Sequence, residues 1–179
     1  MDYQNTHREI VEQCQSGNRQ AQFELYRLYS KAMYNLCLRM MKSEMSAEDM
    51  LQKSFTQVFM KIHTFRFESS VGAWIKRITV NNCINQMKKK RLEIQELDDR
   101  FHHIPEPEAD DTDCALSIDM VNAAMMQLPD GYRVVFSLYL MEGYDHKEIG
   151  EVLGISEATS KSQFSRAKAK MRTLLAEVV

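Results

Sequence analysis

The chain has 179 residues, 44% of them apolar and 27% charged, a composition typical of globular proteins at a length that allows one domain or two small ones. Only six glycines and three prolines stand against plentiful Met, Leu, Gln and Lys, which favours helix over sheet. The net charge of −2 excludes a uniformly basic nucleic-acid binder but conceals a strong segregation of charge along the chain.

In chain order, Thr6-His7-Arg8-Glu9 has the form of a capping box and predicts a first short helix. From Gln20 to Met41, Phe23, Tyr26, Leu28, Met33, Tyr34, Leu36, Cys37 and Met40 recur at helical spacing. Ser46-Ala47-Glu48-Asp49 predicts the start of another helix, with Ser46 as cap and Met50, Leu51, Phe55, Val58, Phe59 and Ile62 on its apolar side. The periodicity breaks at Phe65-Arg66-Phe67-Glu68-Ser69-Ser70, which reads as a loop. It resumes from Val71 to Lys90, with Trp74, Ile75, Ile78, Val80, Ile84 and Met87 apolar. These helices make a first domain, residues 20–91.

Val71 to Arg91 contains Lys76, Arg77, Lys88, Lys89, Lys90 and Arg91 and no acid. Leu92 to Asp113 then holds nine acids against Arg100, with Pro105 and Pro107, a composition that buries too little apolar surface to order itself and predicts a flexible acidic linker over 92–116. The second domain, 117–177, follows. Ile118, Val121, Ala124, Met125 and Leu128 form one helix face halted by Pro129; Tyr132, Val135, Phe136, Tyr139 and Leu140 form the next, ending near Gly143. The four cysteines lack CxxC spacing, and most sit in apolar patterns, as reduced thiols of a cytoplasmic protein do. The polar N-terminus predicts no secretory signal, and no apolar run is long enough to span a bilayer.

The last 35 residues are the most pointed. Asp145 with Glu148 predicts a capped helix, Gly154 a left-handed turn, and Ser156 the cap of a second helix carrying Lys161, Arg166, Lys168, Lys170 and Arg172 against Glu157 alone. This is a helix-turn-helix with a cationic second helix, whose free N–H groups at Ser156 also suit a phosphate. Arg reads guanine bidentately, Ser adapts, and Lys mainly neutralises phosphate. On these residues alone the motif says only that the chain binds DNA, and an autonomous helix-turn-helix transcriptional regulator remains open.

The order of motifs narrows this. Leu128-Pro129-Asp130-Gly131-Tyr132-Arg133, Glu142-Gly143-Tyr144-Asp145-His146-Lys147-Glu148-Ile149 and Leu153 to Lys168 resemble the fourth domain of bacterial RNA polymerase sigma factors of the extracytoplasmic-function (ECF) group. Ala47-Glu48-Asp49-Met50-Leu51-Gln52-Lys53-Ser54-Phe55 resembles that group's AED-x-x-Q-x-x-F segment, and Trp74 to Asn81 its W-L-x-R-I-A-x-N segment. Ala158 stands where the family often has Gly, Asn85 where it has Asp, and Gln163 and Lys168 where it has Arg. Lysine forfeits bidentate recognition, which makes Lys168 a phosphate contact.

The resemblance implies an all-α chain of two small helical domains, a sigma domain 2-like bundle and a sigma domain 4-like helix-turn-helix. It implies a sigma factor that binds RNA polymerase core and directs initiation by reading the −35 and −10 elements and helping to open DNA. Ser156, Thr159, Lys161, Ser162, Ser165, Arg166 and Lys168 would face the −35 element. Phe67, Trp74, Lys76, Arg77, Asn81, Asn85 and Lys88 would face the −10 element and the opened strand. Asp49, Gln52 and Phe55 would dock the clamp coiled coil of the largest polymerase subunit. Phe55, Phe67 and Trp74 fit a helical core as well as these roles. Promoter DNA and an anti-sigma factor are the other partners implied, without membrane insertion. His102, His103 and Cys114 make no proper ligand set, so neither metal nor cofactor is expected; no catalytic motif is present, so neither is enzyme activity.

Overall fold

The computed structural model describes residues 7–95 and 117–176, and every regular element among them is helical. The chain divides into two compact units, Met1–Arg91 and Leu92–Val179. No described helix is long and apolar enough to cross a membrane.

The first unit is built from α1 (Arg8–Gln15), α2 (Arg19–Met41), α3 (Glu44–Lys61), a single 3-10 turn (Ile62–Thr64) and α4 (Val71–Gln95). Helix α1 opens from His7, whose backbone is left-handed (φ 64°) and whose side chain makes no cap; Thr6 lies outside the described residues. Asn18 caps α2 by accepting from the N–H groups of Gln20 and Ala21. Helix α3 starts three residues earlier than the Ser46 signature suggests. Ser43 is the cap, its hydroxyl accepting from Ser46 N at 3.4 Å, and Ser46 sits in the first turn.

The core of this unit is Leu25, Met33, Leu51, Val58, Ile62, Phe65, Val71 and Ile75, together with Val11 and Cys14 from α1. Helix α1 is therefore part of the first domain, which begins before residue 20. The apolar residues of α2 do not all face this core. Phe23 is 60% exposed, and Tyr26 and Leu28 are exposed too, while Ala21, Leu25, Leu36, Cys37 and Met40 fill the interior. Three polar side chains, Ser54, Thr79 and Asn82, are buried with them. Asn82 Nδ2 donates to Ser54 Oγ at 3.1 Å, Ser54 donates to Met50 O, and Thr79 donates to Ile75 O at 3.0 Å, so each is hydrogen-bonded. Cys37 and Cys83 meet in the same interior with their sulfurs 3.8 Å apart. The Cys37 contact first, and then burial, push the Cys83 thiol above its ordinary value.

Helix α4 runs past the boundary expected at 91, so 92–95, assigned to the linker by composition, are helical. The remainder of that stretch, including His102, His103 and Cys114, lies outside the described residues.

The second unit holds α5 (Ile118–Gln127), α6 (Asp130–Phe136, continued by a wide π turn over Ser137–Met141), α7 (His146–Leu153) and α8 (Glu157–Ala176). Ser117 caps α5, and Pro129 separates it from α6. Ala124, Met125, Leu128, Phe136, Ala167, Met171 and Leu174 form its core, whereas Ile118 faces solvent. Arg133, only 1% exposed, donates from Nη1 to Leu128 O at 3.2 Å and to Asp130 Oδ1 at 2.8 Å, tying the α5–α6 corner together.

Candidate nucleic-acid interface

Helix α7 opens on a complete capping box. Asp145 Oδ1 accepts from Glu148 N at 2.7 Å, and Glu148 Oε2 accepts from Asp145 N at 2.8 Å. It closes at Gly154, which is left-handed at φ 74°. The N–H groups of Gly154 and Ile155 both donate to Gly150 O, at 2.8 and 3.0 Å. The backbones crowd here: a Cβ on Gly150 would stand 2.8 Å from Ile155 O, so the turn requires a residue without one. Ser156 caps α8 by accepting from Thr159 N at 3.0 Å, and its hydroxyl also meets that of Thr159 at 2.8 Å. An aromatic stack braces the motif. His146 lies flat on Tyr139 (centroids 4.4 Å), its Nδ1 is 3.0 Å from the buried Ser160 hydroxyl, and Phe164 closes against both rings.

Ser160, Ala167, Met171 and Leu174 bury one side of α8. Ser156, Thr159, Lys161, Ser162, Ser165 and Lys168 are exposed, and Arg166 is half-buried. The structure thus gathers all seven expected residues on the capped end and solvent side of one helix. Two of the cations are already engaged. Lys161 Nζ bonds Glu157 Oε1 at 2.7 Å, and Lys168 Nζ lies 5.2 Å from the centre of the Phe164 ring. The hydrogen bond from Lys161, reinforced by its charge, lowers the Glu157 carboxyl below its ordinary value and raises the Lys161 ammonium above its own.

In the first unit, Trp74, Arg77, Asn81, Asn85 and Lys88 recur three or four residues apart and so share a stripe of α4. Lys76 does not join them. It is half-buried and falls on the other side of the helix, because five residues before Asn81 is nearly half a turn out of phase. Phe67 and Trp74 are half-buried on the rim of the core, each packed against the buried Phe65 (centroids 5.0 and 5.3 Å). Phe67 adopts φ 59°, in the left-handed region that residues with a Cβ seldom enter.

On α3, Asp49 and Gln52 are exposed and three apart on one face. Phe55 is not available beside them. It is 3% exposed and packed between Tyr26 (4.8 Å) and Phe59 (6.0 Å), so it is a core residue that fixes the helix rather than a docking aromatic. Spacing also gave no sign of Met45 and Met60, 74% and 70% exposed at either end of α3, because they lie off its apolar stripe. Among the described residues no group of His, Cys, Asp or Glu could hold a metal ion.

Two family models match the chain, sigma-70 region 2 over residues 25–93 and sigma-70 region 4 over residues 118–171. The chain is 29% identical over 152 residues to the ECF RNA polymerase sigma factor SigM of Bacillus subtilis, covering 84% of this chain and 93% of that one. It is 30% identical over 129 residues to RNA polymerase sigma factor SigZ of the same organism, covering 72% of each. Among solved structures, the sigma factor RpoE of Bartonella quintana, determined in complex with the anti-sigma factor NepR, shares the fold at a TM-score of 0.57 and 23% identity, covering 86% of this chain and 95% of that one. With both sigma regions matched in order and the helix-turn-helix formed at the predicted turn, the chain belongs to the bacterial RNA polymerase sigma factors of the ECF group.

Proposed function

We propose that the work of this sigma factor is divided between its units, with the first domain holding polymerase core and the −10 element and the second, 117–177, reading the −35 element. A sigma factor is an initiation subunit of RNA polymerase and not an enzyme, which displaces the autonomous-regulator reading. The observation that carries the assignment is the capped α8, whose exposed Lys161, Ser162, Ser165 and Lys168 stand with Arg166 beyond a formed helix-turn-helix. The Trp74, Arg77, Asn81, Asn85 and Lys88 stripe and the Phe65–Ser70 loop are the proposed −10 surface, with Lys76 set aside. A half-buried aromatic loop beside a basic helix suits capture of an extruded base and its displaced strand. Asp49 and Gln52 are the proposed contacts with the clamp coiled coil.

An anti-sigma factor is the proposed partner of the free chain. The support is the fold shared with the Bartonella protein that was solved with one. The proposed location is the cytoplasm, where bacterial promoter DNA lies. Run-off transcription on genomic fragments with purified core enzyme tests the whole. Discrete transcripts should arise only when the chain is added, while the chain alone shifts the same fragments weakly. Failure to direct core enzyme to any promoter would end this reading.

A further inference from the structure

Helix α1 lies outside the region 2 match and outside every motif that identified the family. Its contacts nevertheless converge on the proposed −10 loop. Val11 and Cys14 anchor it in the core. From there the half-buried Gln15 donates through Nε2 to Ile62 O and to Phe65 O, both at 3.0 Å, the two carbonyls that bracket the 3-10 turn leading into the loop. At the other end of α1, the Arg8 guanidinium lies over the Phe67 ring, 4.7 Å from its centre. Phe67 is the loop residue held in the left-handed region, and its ring reaches Trp74 through Phe65. An amide side chain bonded to two main-chain carbonyls fixes backbone, not merely a ring, and a backbone in a sparsely populated region persists only where its surroundings over-determine it.

We infer that Gln15 and Arg8 are positioning residues for promoter opening: α1 clamps the Phe65–Ser70 loop in the shape that receives a base from the −10 strand. The inference rests on the −10 assignment of that loop. Gln15 touches no DNA in this scheme. It removes the need for the loop to order itself when the base arrives, so the clamp acts on the opening step and leaves binding to polymerase alone.

The test uses holoenzyme reconstituted from core and the full chain, on a duplex promoter fragment recovered from genomic DNA by transcription with the unaltered protein. Opening is followed by permanganate reactivity of unpaired thymines, core affinity by titration, and loop packing by the emission of Trp74, the single tryptophan of the chain. Gln15→Met keeps the side chain's length and removes both donors. Arg8→Ala alters an exposed residue and guards against a folding failure of the first variant, and Phe67→Ala tests the loop itself. Gln15→Met should open the promoter about tenfold more slowly, with core affinity unchanged and Trp74 emission shifted to the red. Arg8→Ala should move both readouts the same way by less.

If Phe67→Ala slows opening while Gln15→Met and Arg8→Ala do not, the clamp is wrong and the loop assignment stands. If none of the three slows it, the loop assignment fails and takes the clamp with it. Loss of core affinity in step with opening, or slowed opening with Trp74 emission unmoved, would equally overturn a positioning role.

Discussion

Lys161 and Arg166 differ in what a phosphate or a base can ask of them, and the difference is measurable. Lys161 is exposed and paired with an exposed Glu157. Such pairs contribute little, so a DNA phosphate can replace the carboxylate at small cost. Lys161→Ala in the holoenzyme should therefore weaken binding to all promoter sequences alike and flatten the slope of log K against log salt by about 1. Arg166 is half-buried on the same helix, where its planar fork is better pre-organised than an ammonium. Arg166→Lys should leave that slope nearly unchanged but cost about 1–3 kcal/mol of discrimination at one base pair of the −35 element. Filter binding across a salt series, on promoter fragments mutated one position at a time, separates the two. An Arg166→Lys loss spread evenly over all sequences would make Arg166 a second phosphate contact.

At the scale of elements, the α7–α8 turn depends on a close approach rather than on apolar burial. Gly150→Ala places a methyl group 2.8 Å from Ile155 O, a backbone atom that moves only if the turn opens. It should cost about 1–3 kcal/mol, seen as faster amide exchange at Gly154 and Ile155, both bonded to Gly150 O. Gly131→Ala, where the nearest atom is a Gln163 side-chain oxygen at 3.5 Å, is the control and should be close to neutral. The packing of α4 on α2 carries its own signature through Cys83 and Cys37. Because the folded Cys83 thiol holds its proton more tightly than an ordinary one, the unfolded chain sheds that proton first as the pH rises above about 8.5. Stability present below that pH is then lost above it, so the urea midpoint followed by Trp74 should fall between about pH 8 and 10, and less steeply in Cys83→Ala. Helix starts show what spacing could and could not decide. The Asp145 box was legible because both partners are local, three residues apart. Ser43 and Ser46 are also three apart, and only the fold reveals which one caps. Phe55 was ambiguous for a related reason: an aromatic on a helix declares a face, not whether Tyr26 and Phe59 will cover it.

For the whole molecule, charge segregation and motif order were legible because neither depends on distant contacts. The role of α1 was not, since Gln15 reaches carbonyls 47 and 50 residues away in the chain. Two separate cores, one around Leu25 and Ile75 and one around Met125 and Met171, have a consequence for how the parts cooperate. Each unit buries its own apolar surface, so fragments 7–95 and 117–176 should fold separately and show helical spectra that add to that of the whole. Their activities should not add. On the proposed division of roles, seating the first unit of an intact chain on core polymerase presents the second to the −35 element at an effective concentration set by the connecting segment, of order mM for short connections. In two pieces that advantage vanishes, and each fragment must find the complex at its bulk concentration. At about 1 μM of each fragment, promoter-directed transcription should therefore fall by roughly 10²–10³-fold relative to the intact chain. Raising the concentration of fragment 117–176 alone should recover it in proportion. Undiminished transcription from the two fragments at that concentration would mean that polymerase binds the second unit tightly on its own, and that covalent connection contributes little to recognition of the two elements.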